Sequence, residues 1–124
     1  MPSFALSGTV LDSPDPIRLA DFYQGLLGWD RVHEDPTWVT LRPDTGRPGL
    51  GFQLEADYAP PTWPSRPDEQ QLQLHLDILV DDLDLAGARA VELGARLADT
   101  QFQDDVRVYL DPDGHPFCLF LEGA

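Results

Sequence analysis

The chain has no lysine, one cysteine, no long apolar run and no basic patch, and each lack closes off a class of function. Without lysine there is no Schiff-base chemistry. With Cys118 alone, neither an internal disulfide nor a zinc cluster built from several thiolates can form, which suits a reducing compartment. No stretch approaches the ~18 apolar residues of a membrane span. Met1-Pro2-Ser3 also lacks the charged and apolar regions of a signal peptide, so the expectation is a cytoplasmic protein with no membrane partner. The eight basic residues, all arginine, are outnumbered by 22 Asp and Glu, for a formal net charge of −14. Nothing in that balance resembles the clustered positive charge that phosphate neutralisation needs, so nucleic acid is not an expected partner.

What the chain does contain is a repeat. Tyr109 to Leu121, YLDPDGHPFCLFL, reads as a strand, a tight Asp111-Pro112-Asp113-Gly114 turn and a second strand. Ahead of it lie an alternating strand from Leu72 to Val80 and a helix, Asp82 to Leu93, that closes in Leu93-Gly94-Ala95. The same order occurs earlier. Strand Phe4 to Leu11 is followed by helix Asp15 to Leu27, closing in Leu27-Gly28-Trp29. Strand Trp38 to Arg42, a Pro43-Asp44-Thr45-Gly46 turn and strand Leu50 to Glu55 complete it. The predicted fold class is therefore α+β, two tandem βαβββ modules at about 4–55 and 72–122. At 124 residues the chain is one domain's worth, so the modules must share a sheet system or a partner.

Local patterns support this division. Ser13 or Asp15 stands where a helix cap belongs, and Leu19, Phe22, Tyr23 and Leu26 recur at helical spacing as a buried face. Leu83, Ala86, Ala90 and Leu93 do the same in the second helix. Residues 56–71, with four prolines and little apolar periodicity, read as a linker. Tyr58 and Trp63 within it either pack on the neighbouring sheet or form a lid over a pocket. The most informative segment is Leu72-Gln-Leu-His-Leu-Asp-Ile78. Its leucines share one strand face, and Gln73, His75 and Asp77 line the other. His33 and His115, at a strand end and in a turn, are expected at the surface.

In this order the pieces resemble the vicinal oxygen chelate superfamily of glyoxalase I, extradiol dioxygenases and bleomycin-resistance proteins, and most of all its small bacterial glyoxalase-like members. They are Asp21-Phe22-Tyr23 running into Leu27-Gly28-Trp29, His75-Leu76-Asp77 before Val80-Asp81-Asp82, Leu93-Gly94-Ala95, and Asp111-Pro112-Asp113-Gly114 before Phe117-Cys118-Leu119. The resemblance covers nearly the whole chain. It implies paired modules forming a curved-sheet cup with helices outside, a site inside the cup, and a homodimer.

Metal-binding members of that superfamily carry ligands on the first and fourth strands of each module. Here those positions fall on Gly8, Gln53, His75 and Cys118. Only His75 matches well, and one imidazole is too few for a divalent metal in an open site. The expectation is thus a metal-independent protein with no cofactor; were a metal to bind, His75 and Gln53 would hold it. Alternation along the strands is expected to turn Trp38, Thr40, Gln53, Gln73, His75, Asp77, Arg107, Tyr109, Cys118 and Phe120 toward the concave side, with Trp63 above them. That mixture suits a small organic ligand, and the acidity suits a cationic one. The expected function is sequestration of the bleomycin-resistance type. The alternatives are a divergent metal-dependent lyase or isomerase, an acid–base catalyst using His75 oriented by Asp77, or a domain that only dimerises or regulates.

Overall fold

Of the two cap candidates Asp15 caps the first helix, and Ser13, the last residue of the preceding strand, supports it. The Ser13 hydroxyl accepts from the Asp15 N–H at 2.9 Å, and the Asp15 carboxylate accepts from the Arg18 N–H at 3.2 Å. Pro16, whose missing N–H has no intrahelical partner to lose, opens the helix, and Gly28 closes it at φ 72° with its N–H on the Gln24 carbonyl. The computed structural model describes residues 2–124. They divide into two compact units, one ending at Tyr58 and the other running from Ala59 to Ala124.

The first unit holds β1 (Gly8–Ser13), α1 (Pro16–Leu27), β2 (Asp30–Asp35), β3 (Trp38–Arg42) and β4 (Gly49–Leu54). Its four strands form a sheet in the order β1-β4-β3-β2, with β1 parallel to β4 and the rest antiparallel. Leu19, Phe22 and Tyr23 of α1 bury against Val39, Leu41 and Phe52, and the Tyr23 and Phe52 rings stack at 5.7 Å. Leu26 is half-buried at the margin of this face.

The second unit repeats the scheme with β5 (Leu76–Leu79), α2 (Leu83–Leu93), β6 (Arg96–Leu97), β7 (Val106–Leu110) and β8 (Pro116–Phe120), in the order β5-β8-β7-β6. Asp82 caps α2 by accepting from the Leu85 N–H at 2.9 Å. The predicted hairpin is present, with the Gly114 N–H on the Asp111 carbonyl and the Asp111 N–H on the His115 carbonyl. The α+β class and the two βαβββ modules are thus as the sequence indicates.

Three expectations need correction. The first strand runs from Gly8 to Ser13 rather than from Phe4 to Leu11. Its partner β4 starts only at Gly49, after a loop with two prolines, so residues 4–7 have no ladder to join. For the same reason β5 is confined to Leu76–Leu79: its pairing with β8 begins at Leu76 opposite Phe117, leaving Gln73 and His75 on extended chain ahead of the ladder. His115 is not a surface residue. Its side chain is 14% exposed, and Nδ1 lies 2.8 Å from the fully buried Asp111 carboxylate, which also accepts the N–H groups of Asp113 and His115. The pair therefore locks the turn. His33 is exposed as expected and rests on Asp35.

Candidate functional site

In the second unit the parallel ladder sets Asp77 directly opposite Cys118, and the antiparallel one sets Cys118 opposite Val108. Residues paired this way share a sheet face. His75, two residues before Asp77, comes to the same side, and its Nε2 lies 3.1 Å from Asp77 Oδ1. One donor atom from each of His75, Asp77 and Cys118 lies within 4.8 Å of the other two. The side chains of His75 and Asp77 are 41% and 61% exposed while Cys118 is 7% exposed, so the cluster is open at its mouth and closed at its floor. Burial, reinforced by the Asp77 carboxylate, pushes the Cys118 thiol up to about 11. Left alone, it is a protonated, weakly reactive thiol at neutral pH.

In front of the cluster is a hollow of about 300 Å³ lined by His75, Asp77, Gln103, Val106, Cys118, Phe120 and Ala124. Trp63 packs on the same side, against the small cluster of Ala98, Val108 and Cys118. Its indole N–H donates to the Thr100 carbonyl at 3.2 Å, and its ring meets Phe102 edge-on at 5.9 Å. The linker aromatic therefore covers its own unit's sheet. Gln73 is exposed ahead of β5 and does not line the hollow.

Arg107 and Tyr109 are not on this face, which corrects the sequence-based assignment. Because Val108 is paired with Cys118, the flanking residues turn toward α2. The Arg107 guanidinium reaches Asp84 of α2 at 2.6 Å, and the buried Tyr109 ring stacks on Phe117 with its hydroxyl over Gly87. Val106 and Gln103 take their place in the hollow. Alternation from Cys118 would have found Val106 had the register been known; Gln103, in a loop, leaves no periodic signal.

In the first unit Trp38, Thr40 and Gln53 lie on the face away from α1, with Trp38 paired to Gln53 and Thr40 to Gly51. The Trp38 ring lies flat on Gly51, where a Cβ would come within 2.4 Å of it. Trp38 and Thr40 border a second, smaller hollow of about 150 Å³ together with Thr9, Val10 and Gly51. Gln53 is exposed and outside it.

Residues 8–120 match the family model described as a glyoxalase-like domain, and the chain belongs to that family. With it comes membership of the vicinal oxygen chelate superfamily. Solved structures agree on the fold. A glyoxalase/bleomycin resistance protein/dioxygenase family enzyme from Burkholderia phytofirmans aligns with a TM-score of 0.69 at 19% identity, covering 94% of this chain and 98% of that one. Fosfomycin resistance protein FosX from Mesorhizobium loti gives 0.68 at 17% identity, over 94% and 91%. A possible glyoxalase from Bacillus cereus gives 0.67 at 12%, over 95% and 99%. No curated protein matches the sequence. Among the described residues no helix is long and apolar enough to cross a membrane.

The metal sites of the superfamily are matched here only in part. Gly8 offers no ligand, and a Cβ there would press on the Gly49 carbonyl at 2.8 Å. Gln53 lies on β4 of the first unit. The second unit by itself supplies imidazole, carboxylate and thiol donors. That set fits a cation that accepts nitrogen and sulfur, and does not fit Mg²⁺ or Ca²⁺, which take oxygen ligands.

Proposed function

We propose that this glyoxalase-like protein binds a small organic ligand and acts by sequestration, without needing a resident metal or other cofactor. The observation that carries the reading is the hollow over β5 and β8, where a polar His75–Asp77 pair sits beside Val106 and Phe120. Its volume of about 300 Å³ is at the lower end of small-molecule sites, and few polar groups against apolar walls is their usual composition. Asp77 and the net charge of −14 favour a cationic ligand. On the same reading the protein is cytoplasmic, binds neither nucleic acid nor membrane, and is a homodimer.

His75 is the anchor. Titrating a panel of cationic aromatic dyes against wild type and His75→Ala tests this. The expected loss is roughly 5–150-fold in affinity, the effect of leaving a buried partner unpaired by about 1–3 kcal/mol, with folding retained. Identical isotherms for the two proteins would overturn the assignment.

A second reading, acid–base catalysis, rests on the 3.1 Å contact that orients the His75 ring against the Asp77 carboxylate. It requires that a bound compound emerge chemically changed. Mass spectrometry of the compound after incubation distinguishes the two readings, since sequestration returns it intact.

A further inference from the structure

We infer that the hollow over β5 and β8 selects a planar cation rich in N–H groups, an amidinium or guanidinium head on a small aromatic body, with Asp77 and Gln103 taking the head and Phe120 the body. The inference rests on the organic-ligand reading above and names the chemistry of the ligand.

The argument begins with charge. Asp77 is the acidic side chain that lines the hollow, and no arginine lines it. The Arg107 guanidinium is held on the opposite face by Asp84. The Cys118 thiol, pushed up to about 11 by burial and by Asp77, stays protonated near neutrality and adds no second anion. Among the described residues Asp77 has the His75 ring as its ion-pair partner, 3.1 Å from Oδ1, and its side chain is 61% exposed. A carboxylate has about four acceptor positions, so His75 steadies the group and leaves acceptor capacity for a ligand. The loop of Gln103 also carries Asp104 and Asp105, which makes the surroundings anionic.

Geometry then selects the kind of cation. Cys118 pairs with Asp77, and two residues on Phe120 pairs with Leu79 and with Val106. The Asp77 row and the Phe120 row are therefore successive on one sheet face, roughly 7 Å apart along the strands. An aryl group attached directly to a charged head has about that reach, with the head on the carboxylate and the ring against Phe120 and Val106. A quaternary ammonium has no N–H to donate and is recognised by a cage of aromatic faces, whereas Phe120 is the aromatic residue lining this hollow. A primary alkylammonium is a compact, strongly hydrated charge. Guanidinium-type heads are more weakly hydrated and meet a carboxylate through two parallel N–H bonds. The Gln103 amide oxygen can accept a further N–H of the same head.

The test is calorimetric titration of the protein with benzamidine, beside benzamide, its neutral counterpart, and phenyltrimethylammonium, which carries the charge without N–H groups. Wild type should bind benzamidinium about tenfold more tightly than either control, the lower end of the range for hydrogen bonds to a charged group because Asp77 is largely exposed. Asp77→Asn should erase that preference, and Gln103→Ala should weaken benzamidinium severalfold. Either control binding wild type as tightly as benzamidinium would overturn the inference, as would an unchanged preference in Asp77→Asn or an unchanged affinity in Gln103→Ala. Should a variant fail to fold by circular dichroism, the ranking of the three compounds on wild type still decides. The dye titration separates this inference from the reading beneath it. Dyes bound without any preference for benzamidinium would remove the inference and leave sequestration standing, whereas no binding of dyes or probes would remove both.

Discussion

The Tyr109 hydroxyl rests on Gly87 of α2 so closely that a Cβ at position 87 would lie 2.0 Å from it. Gly87 is the mid-helix glycine that lets the ring lie between helix and sheet, and this is why Tyr109 faces the helix rather than the hollow. Gly87→Ala should destabilise the protein, since overpacking costs about 1–3 kcal/mol while the gain in helix propensity is about 1 kcal/mol. Adding Tyr109→Phe should recover much of the loss by removing the clashing oxygen. Urea denaturation of the two single variants and the double variant gives the coupling, and strictly additive effects would show that the contact is not the cause.

Residues turned toward α2 should not affect the ligand. Tyr109→Phe and Arg107→Ala are expected to leave dye affinity at the wild-type value, whereas substitution of Asp77, on the opposite face, should lower it. A matching loss in Arg107→Ala would mean that its pairing with Asp84 opens in solution.

Trp63, with Val106 and Leu110, packs over Ala98, Val108 and Cys118. Because it is half-buried, Trp63→Ala should cost about 2 kcal/mol, below the usual range for a fully buried Trp, and should speed alkylation of Cys118. A denaturation midpoint equal to wild type would show that the loop carrying Trp63 leaves the sheet in solution.

Asp35 locks the turn between β2 and β3. Its carboxylate accepts from the Thr37 hydroxyl, the Thr37 N–H and the Trp38 N–H, and meets the His33 ring at 2.7 Å. The Thr37 hydroxyl foremost, then His33, hold it well below the usual carboxylate range. A lowered folded-state pKa stabilises the native protein above the ordinary Asp value of about 4, and that contribution is lost as pH falls through the lower folded value. Wild type should therefore exceed Asp35→Asn in stability near neutrality, with the gap closing in acid. Urea midpoints across an acid series check this; a gap independent of pH would refute it.

For the proposed homodimer, light scattering at micromolar concentration should give about twice the 13.8 kDa chain mass. The outermost strands β1 and β5 carry exposed Val10 and Leu79, the kind of edge a second copy would cover. A mass of one chain across the dilution range would reject the dimer.

Order of elements, helix limits and the hairpin turn were legible in the amino-acid sequence because they follow from local physics. Asp15 and Asp82 cap, Gly28 takes a left-handed φ, and Pro112 with Gly114 turns the chain, whatever lies elsewhere. Period-two alternation likewise put His75 and Asp77 on one face. Pairing register, by contrast, is a property of two strands. Only the tertiary structure could set Val108 against Cys118, which sent Arg107 and Tyr109 to the helix and brought Val106 to the hollow. The same ladder let β5 begin only at Leu76 and placed Asp77 beside a cysteine 41 residues away, bringing a histidine, a carboxylate and a lone thiol together.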